Sequence, residues 1–319
     1  MRLTSRSATE EDFEDFFQCV YTTFGFDESH RSDVKREWAI FRQNPYAISV
    51  VVEDLDRSPK QCVIGYAEGT FVTDRFVARA KSGVRPWVNR QVAEAAYRGQ
   101  SPILTLPQIC EANSGEGLTL LLSYYAWRGQ NLTQPEIQIV REYISRALNR
   151  QGWGYKYKEV MIEVAGEEAC RRAISAGFLL RTDYADYYKQ TPVPPPHLHP
   201  YLLSITRSDS QANDGSLLAI AFAYTPPRFQ FTLREQDLLC LALEDKSDEE
   251  IAEDLDRTPV TVKKRWEEIY AHVADAYPEL LPVRQEKGRG PEKRRILIAY
   301  LRDHLEELRP NKARRKGRA

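Results

Sequence analysis

The stretch "TPVPPPHLHP", residues 191–200, constrains the fold more than any other. Proline has no amide donor and a fixed φ, so neither a helix interior nor a central strand runs through it. A shorter run, "TPPRF" at 225–229, stands just ahead of a strongly helix-forming region. The prolines divide the 319 residues into an N-terminal segment 1–190, a linker 191–229 and a C-terminal part. Within the linker, "YLLSI" and "SLLAIAFAY" flank a polar stretch containing Asn213, Asp214 and Gly215, which predicts a β-hairpin with a long loop. His197 and His199 have the spacing of metal ligands, but no third ligand stands near them, and no metal site is expected.

The first segment alternates in type. "TEEDFEDFFQCVYTTF" has Thr9 as a cap, acids in its first turn and Phe13, Phe16, Phe17 and Val20 at helical spacing. "AISVVVED", "QCVIGYAEGTFV" and "GLTLLLSYYAW" read as strands. "QPEIQIVREYISRALNR" is an amphipathic helix with Ile137, Val140, Ile144 and Leu148 on one face. "KEVMIEV" predicts a strand, "GEEACRRAISAGF" a helix and "DYADYYKQ" a last strand. The order implies a mixed α/β layered domain. At 42% hydrophobic residues the chain can bury a sizeable core, and no apolar run approaches the roughly 20 residues that cross a bilayer. Cys19, Cys62, Cys110, Cys170 and Cys240 lie far apart without a CxxC pair, the pattern of inert thiols in a reducing cytoplasm.

Three of these stretches, "RSATEEDFEDF", "VIGYAEG" and "EEACRRAISAGF", occur in an order that resembles the GNAT acetyltransferase superfamily over residues 3–190. The resemblance implies a GNAT-like mixed sheet with flanking helices. It also implies an acetyl-CoA pyrophosphate held by the loop after the central strand, where helix-start amides bind anions. Here that loop is Arg128-Gly129-Gln130-Asn131-Leu132-Thr133. Arg128 and Gly129 are the cofactor-binding candidates, but Asn131 and Thr133 stand where the family has small residues. The family's general-acid tyrosine, five residues before the Gly-Phe phenylalanine, falls on Ala173, which transfers no proton. The expectation is a non-catalytic sensor domain with no catalytic residue and no cofactor; residual acetyl-CoA binding is the alternative.

Residues 231–273 hold three helices. Leu238, Leu239 and Ala242 are apolar in the first; Ser247 and Glu250 form a capping box for the second. Thr258 caps the third, with Pro259 at N1 and Val262, Trp266, Ile269 and Val273 along one stripe. The second and third, joined by a tight turn, have the sequence pattern of a helix-turn-helix. "TLREQDLL", "EEIAEDL" and "TVKKRWEEI" make the segment similar to the LuxR/GerE-type helix-turn-helix. That resemblance implies double-stranded DNA as partner, with Thr258, Thr261, Lys263, Lys264 and Arg265 at phosphates and base edges. Asp245 and Lys246 stand where a glycine turn is common in that family, and Trp266 where a histidine is.

Residues 230–282 carry 6 basic and 14 acidic side chains, whereas 283–319 carry 13 basic and 5 acidic. The acidic second helix would have to face away from DNA, and the basic tail would add salt-dependent affinity. A further helix is expected between Pro291 and Pro310, followed by the tail "NKARRKGRA" without an apolar anchor. Taken together, the expected architecture is a GNAT-like α/β domain (1–190), a linker with a hairpin (191–229), an all-α helix-turn-helix domain (230–282) and a basic helix and tail (283–319). The expected function is a cytoplasmic, homodimeric, sequence-specific transcription regulator, not an enzyme, answering to an effector the residues do not name. The alternative is an acetyl-CoA-dependent N-acetyltransferase with a localising helical module.

Overall fold

The computed structural model describes residues 1–24, 27–130, 132–212, 217–281 and 290–312. The chain divides into two compact units, one of residues 1–152 and 156–223, the other of 153–155 and 224–319.

The first unit is built on one seven-stranded sheet: β1 (Leu3–Arg6), β2 (Ile48–Asp54), β3 (Val63–Val72), β4 (Leu118–Trp127), β5 (Tyr157–Ala165), β6 (Leu179–Thr182) and β7 (Pro200–Thr206). The spatial order is β1-β2-β3-β4-β5-β7-β6. Every neighbouring pair is antiparallel except β4 with β5. Helices along the chain are α1 (Phe13–Phe24), α2 (Arg31–Arg42), α3 (Asp74–Lys81), α4 (Val88–Tyr97), α5 (Leu106–Ser114), α6 (Gln134–Gly152), α7 (Glu167–Ser175), α8 (Ala185–Tyr188) and α9 (Arg207–Ala212). The central strand β3 is buried at all ten positions, as a strand covered on both faces must be. On one face Phe16, Phe17 and Val20 of α1, with Trp38 and Phe41 of α2, pack on Val51, Tyr66 and Tyr124. On the other, Val140 and Ile144 of α6 pack on Val50, Val52, Ile64 and Ala67. The alternation along β2 between the two clusters is the period of two that strands impose, and in β3 a bulge at Ile64 shifts it by one residue. This mixed sheet with flanking helices fits the GNAT-like α/β fold expected for the segment.

Two local expectations are corrected. The proline run and the residues after it form no hairpin. "YLLSI" lies in β7, which inserts between β5 and β6, while Leu217–Phe222 is a 3-10 helix. The sequence pattern could not foresee this because both partners of β7 are remote in the chain. Asn213, Asp214 and Gly215 lie outside the described residues. "DYADYYKQ" contains the short helix α8; the strand is the preceding Leu179–Thr182. Of the cysteines, Cys19 and Cys170 are buried, Cys62 and Cys110 half-buried and Cys240 exposed.

In the second unit the elements are α10 (Leu233–Leu243), α11 (Asp248–Asp254), α12 (Pro259–Ala276) and α13 (Gly290–Asp303), with a 3-10 turn at Leu305–Leu308. Thr232 with Glu235 and Ser247 with Glu250 form capping boxes, and Thr258 Oγ1 accepts the Thr261 amide. Leu238, Leu239, Ile251, Val262, Trp266, Ile269, Leu297 and Leu301 share one apolar cluster. Residues 313–319 of the basic tail lie outside the described residues. Among the described residues no helix is long and apolar enough to cross a membrane.

The packing of α6 on β3 depends on Gly65, where a Cβ would stand 2.8 Å from Ile144 Cδ1 and 3.3 Å from Val140 Cγ1. Gly65→Val is therefore expected to destabilise the unit by about 1–3 kcal/mol through overpacking. Thermal unfolding followed by circular dichroism reads it; an unchanged midpoint would contradict this contact.

Candidate functional site

The site begins with one extra residue in β4. Across β3 and β4, Glu68 faces Tyr124 but Gly69 faces Leu122, so Ser123 is a bulge with no partner of its own. The same position ends the pairing of β4 with β5, whose last facing residues are Leu122 and Ile162. A bulge bends its strand and breaks the ladder. Beyond it the two parallel strands part, and a cavity of about 320 Å³ lies at the gap, lined from β4 by Ser123 and Tyr124 and from β5 by Glu163, Val164 and Ala165. Val34 and Glu37 of α2, Asn89 and Arg90 of α4, and Phe24, His30, Asp33 and Trp87 complete the wall together with Leu198. Leu198 belongs to the proline run, whose 3-10 turn Pro196–Leu198 is held where the Gly166 amide donates to His199 O at 2.8 Å. The run is thus a wall of the cavity as well as a connection.

Three carboxyls line this space, Asp33, Glu37 and Glu163, and burial acts on the last two. Glu163 is saturated with donors: Oε1 accepts the Trp87 amide at 3.0 Å and the Tyr184 hydroxyl at 2.6 Å, and Oε2 accepts the Val88 amide at 2.9 Å. Trp87 and Tyr184 both adopt left-handed backbone conformations, φ 66° and 58°. Two strained residues therefore converge on one carboxylate, a pattern that concentrates at functional sites. Burial nevertheless pushes Glu163 up to about 7. Glu37 has one donor, the Tyr124 hydroxyl at 2.8 Å on Oε2. Burial raises it to about 7 as well, with Asp33 and Glu163 adding to the rise. Burial, and then Glu37, hold the Tyr124 hydroxyl well above the usual tyrosine range, so it stays a donor. A carboxyl titrating near neutrality in a cleft is suited to general-base work.

The loop that the family resemblance assigns to a pyrophosphate is occupied by the chain's own groups. The Arg128 guanidinium pairs with Asp15 at 2.6 Å, and the Gly129 amide donates to Thr22 Oγ1 at 3.2 Å. At the start of α6 the Thr133 amide donates to the Glu136 carboxylate at 2.7 Å. Asn131 lies outside the described residues. An incoming pyrophosphate would meet two carboxylates and amides already engaged. As arranged, these residues do not fit that group.

In the helical unit the structure spends Thr258 and Thr261 on each other, their hydroxyls 2.9 Å apart at the cap of α12. Lys263 and Lys264 are exposed, and Arg265, half-buried, acts on Asp237. Near them in sequence Glu249, Glu250, Glu253, Asp254 and Asp256 before the helix, and Glu267 and Glu268 within it, are exposed.

No family model matches the chain, and no curated protein matches it. Solved structures match at low identity. The C-terminal condensation domain of Ebony in complex with beta-alanyl-dopamine has 11% identity and a TM-score of 0.38, covering 65% of this chain and 99% of that one. NAA60 of Arabidopsis thaliana in complex with acetyl-CoA has 12% identity and a TM-score of 0.38, with the same coverage. The spermidine/spermine N-acetyltransferase SpeG of Vibrio cholerae has 12% identity and a TM-score of 0.37, covering 66% and 99%. At these values the likeness says nothing of substrate or residue roles. The expectation of a LuxR-type, DNA-binding transcription regulator is corrected: the solved structures named above are a condensation domain, NAA60 with acetyl-CoA and a spermidine/spermine N-acetyltransferase, and no family model of any kind matches the chain. The assignment of Thr258, Thr261, Lys263, Lys264 and Arg265 to DNA rested on that expectation alone.

Sequence reasoning missed Glu37, Asn89, Ser123, Tyr124 and Glu163. Two left a signal: Ser123 and Glu163 are the polar interruptions of otherwise apolar strand patterns, "LLLSYY" and "VMIEV".

The two raised carboxyls fix a pH dependence of stability. The ordinary value is 4.5, and both keep their proton to about 7 in the folded unit. The stability this contributes is full below 4.5 and is lost as pH rises through 7, roughly 1–3 kcal/mol for each group. Urea unfolding at about pH 5 and about pH 8 is expected to give the higher midpoint at the lower pH, a difference that Glu37→Gln with Glu163→Gln flattens. A midpoint that rises with pH would contradict the burial of these groups.

Proposed function

We propose that the sheet-containing unit is an N-acyltransferase that moves a short acyl group from a thioester to an amine. The observation that carries this reading is Glu37: a carboxyl titrating near 7, with one oxygen oriented by Tyr124, at the gap between β4 and β5. The GNAT-like sheet and the resemblance over residues 3–190 support the same reading.

Acyl transfer to nitrogen needs a neutral amine and a leaving thiol. Glu37 in its carboxylate form accepts a proton from the entering ammonium and passes it to solvent. The amine nitrogen then attacks the thioester carbonyl carbon while Glu37 takes a second N–H proton. A C–N bond forms, the C–S bond breaks, and the departing thiolate recovers that proton from Glu37. Atoms and charge balance as amine plus thioester giving amide plus thiol. Tyr124 positions the carboxylate and remains protonated throughout. Glu163, with three donors, fixes the start of α4 and holds the far wall in place.

Thiol release from acetyl-CoA and from acetylpantetheine, with a panel of amines, tests the assignment. Glu37→Gln is expected to lower kcat by about a hundredfold or more while the protein still unfolds cooperatively. In the unaltered protein kcat is expected to rise with pH through about 7. Absence of thiol release above the Glu37→Gln background with every amine would overturn the reading. Because the Arg128 loop is internally satisfied, acetyl-CoA and acetylpantetheine are expected to differ in kcat/KM by less than about tenfold. A much larger preference for acetyl-CoA would show that Asp15 and Glu136 give way to the pyrophosphate.

A further inference from the structure

His30 lines the cavity, and the acyl-transfer step leaves it unused. It ends the 3-10 turn Glu28–His30, which runs straight into α2, so helical spacing continues through it. His30, Asp33 and Glu37 stand at i, i+3 and i+7 on one face of that helix, and all three line the cavity. Exposure falls along this stripe: the His30 and Asp33 side chains are 48% and 47% exposed, whereas burial dominates at Glu37. The stripe thus leads from solvent to the carboxyl that takes the proton. The imidazole is also held. Its Nδ1 stands 2.8 Å from Asp27 Oδ1, and the Ser29 amide donates to the same oxygen at 2.9 Å. The Ser29 hydroxyl, and then His30, hold the Asp27 carboxyl below the usual carboxylate range, so it stays a charged partner. A carboxylate on one ring nitrogen fixes how the ring is turned.

Glu37 takes one proton from the ammonium and a second during attack, so the first must leave before the second arrives. Among the described residues, the other titratable groups lining the cavity are poor exits. Arg90 has no acceptor, and Asp33 is paired with Arg90 at 3.6 Å and Arg36 at 3.9 Å. Glu163 is engaged by three donors and keeps its own proton to about 7. Tyr124 stays a donor. Imidazole is the side chain that both takes up and gives off a proton between pH 5 and 8. Seven helical residues separate His30 from Glu37 by a rise of about 10 Å, too far for direct transfer. Asp33 stands between them, and a cavity of about 320 Å³ has room for the waters that complete the path.

We propose that His30, oriented by Asp27, is the proton exit of the cavity: it accepts the ammonium's first proton from Glu37 through water and hands it to solvent. This rests on the acyl-transfer reading of the same cavity and adds the route that resets its base. An O–H bond of Glu37 breaks and an N–H bond of the imidazole forms. The imidazolium then gives that proton to buffer, and both groups return to their starting charge. Asp27 is a positioning residue, and Glu37 remains the group that touches the amine.

Thiol release from acetylpantetheine in dilute buffer tests it, with the full chain and the amine of the panel that reacts fastest. His30→Ala is expected to lower kcat about tenfold, while KM for the amine stays within about twofold. Added imidazole is expected to restore kcat in this variant, to leave the unaltered protein unchanged and to do nothing for Glu37→Gln. Asp27→Asn keeps an acceptor for the Ser29 amide and is expected to lose less, with the same rescue. Thermal midpoints close to that of the unaltered protein show that the variants fold. An undiminished kcat in folded His30→Ala, a loss that imidazole does not repair, or a raised KM with kcat unchanged would overturn the proposal while leaving acyl transfer standing. Rescue of Glu37→Gln by imidazole would overturn it too, because protons would then bypass Glu37. Absence of thiol release in the unaltered protein would remove acyl transfer and the exit route together.

Discussion

The single unpaired residue at Ser123 is the constraint on which the rest of the sheet unit turns. Parallel strands joined by a crossover helix would pair along their whole length if nothing intervened. One additional residue against β3 ends that pairing after Leu122 and Ile162, and the strands separate where both are still extended. Everything of chemical interest lies in the resulting gap. The wall opposite is not free either: the Glu163 carboxylate ties down the start of α4, and the strained Trp87 and Tyr184 are its donors. A bulge on one strand and a carboxylate on its neighbour therefore define the same cavity from two sides.

The unit treats two anion-related sites in opposite ways. At the Arg128 loop, cation and amides are neutralised internally by Asp15, Thr22 and Glu136. At the cavity, three carboxyls stand together, and the arginine that could offset them is shared with Glu94. The first arrangement repels a phosphate; the second draws in a cation and keeps two carboxyls near their titration point. Charge placement, more than the sheet, distinguishes this protein's chemistry from what the family resemblance alone implies.

How much was legible in the sequence depended on whether the deciding contact was local. The strands β4 and β5, the helices α6 and α7, and the caps at Thr232, Ser247 and Thr258 are written in short-range patterns, and the structure has them where the patterns put them. The insertion of β7 between β5 and β6 joins residues far apart in the chain, and a proline run before it reads naturally as a linker. Nothing in the sequence around Glu37 marks it, because Tyr124 and Glu163, which act on it, lie on strands remote in the chain. Thr258 illustrates the reverse error. A capped helix start with cations specifies a helix, and nothing in that pattern alone specifies what the helix touches.

The position of β7 also sets an order of events. Among the described residues strand β6 pairs with β7 alone, and β5 shows an open edge until β7 covers it. During synthesis, Leu179–Thr182 must wait for residues 200–206 before it can join. A fragment ended at the proline run would keep six of the seven strands in sequence but leave β6 detached and β5 exposed. Such an edge invites pairing between chains. The boundary that looks most natural for cutting this protein is therefore the one that would turn its sheet into a template for aggregation.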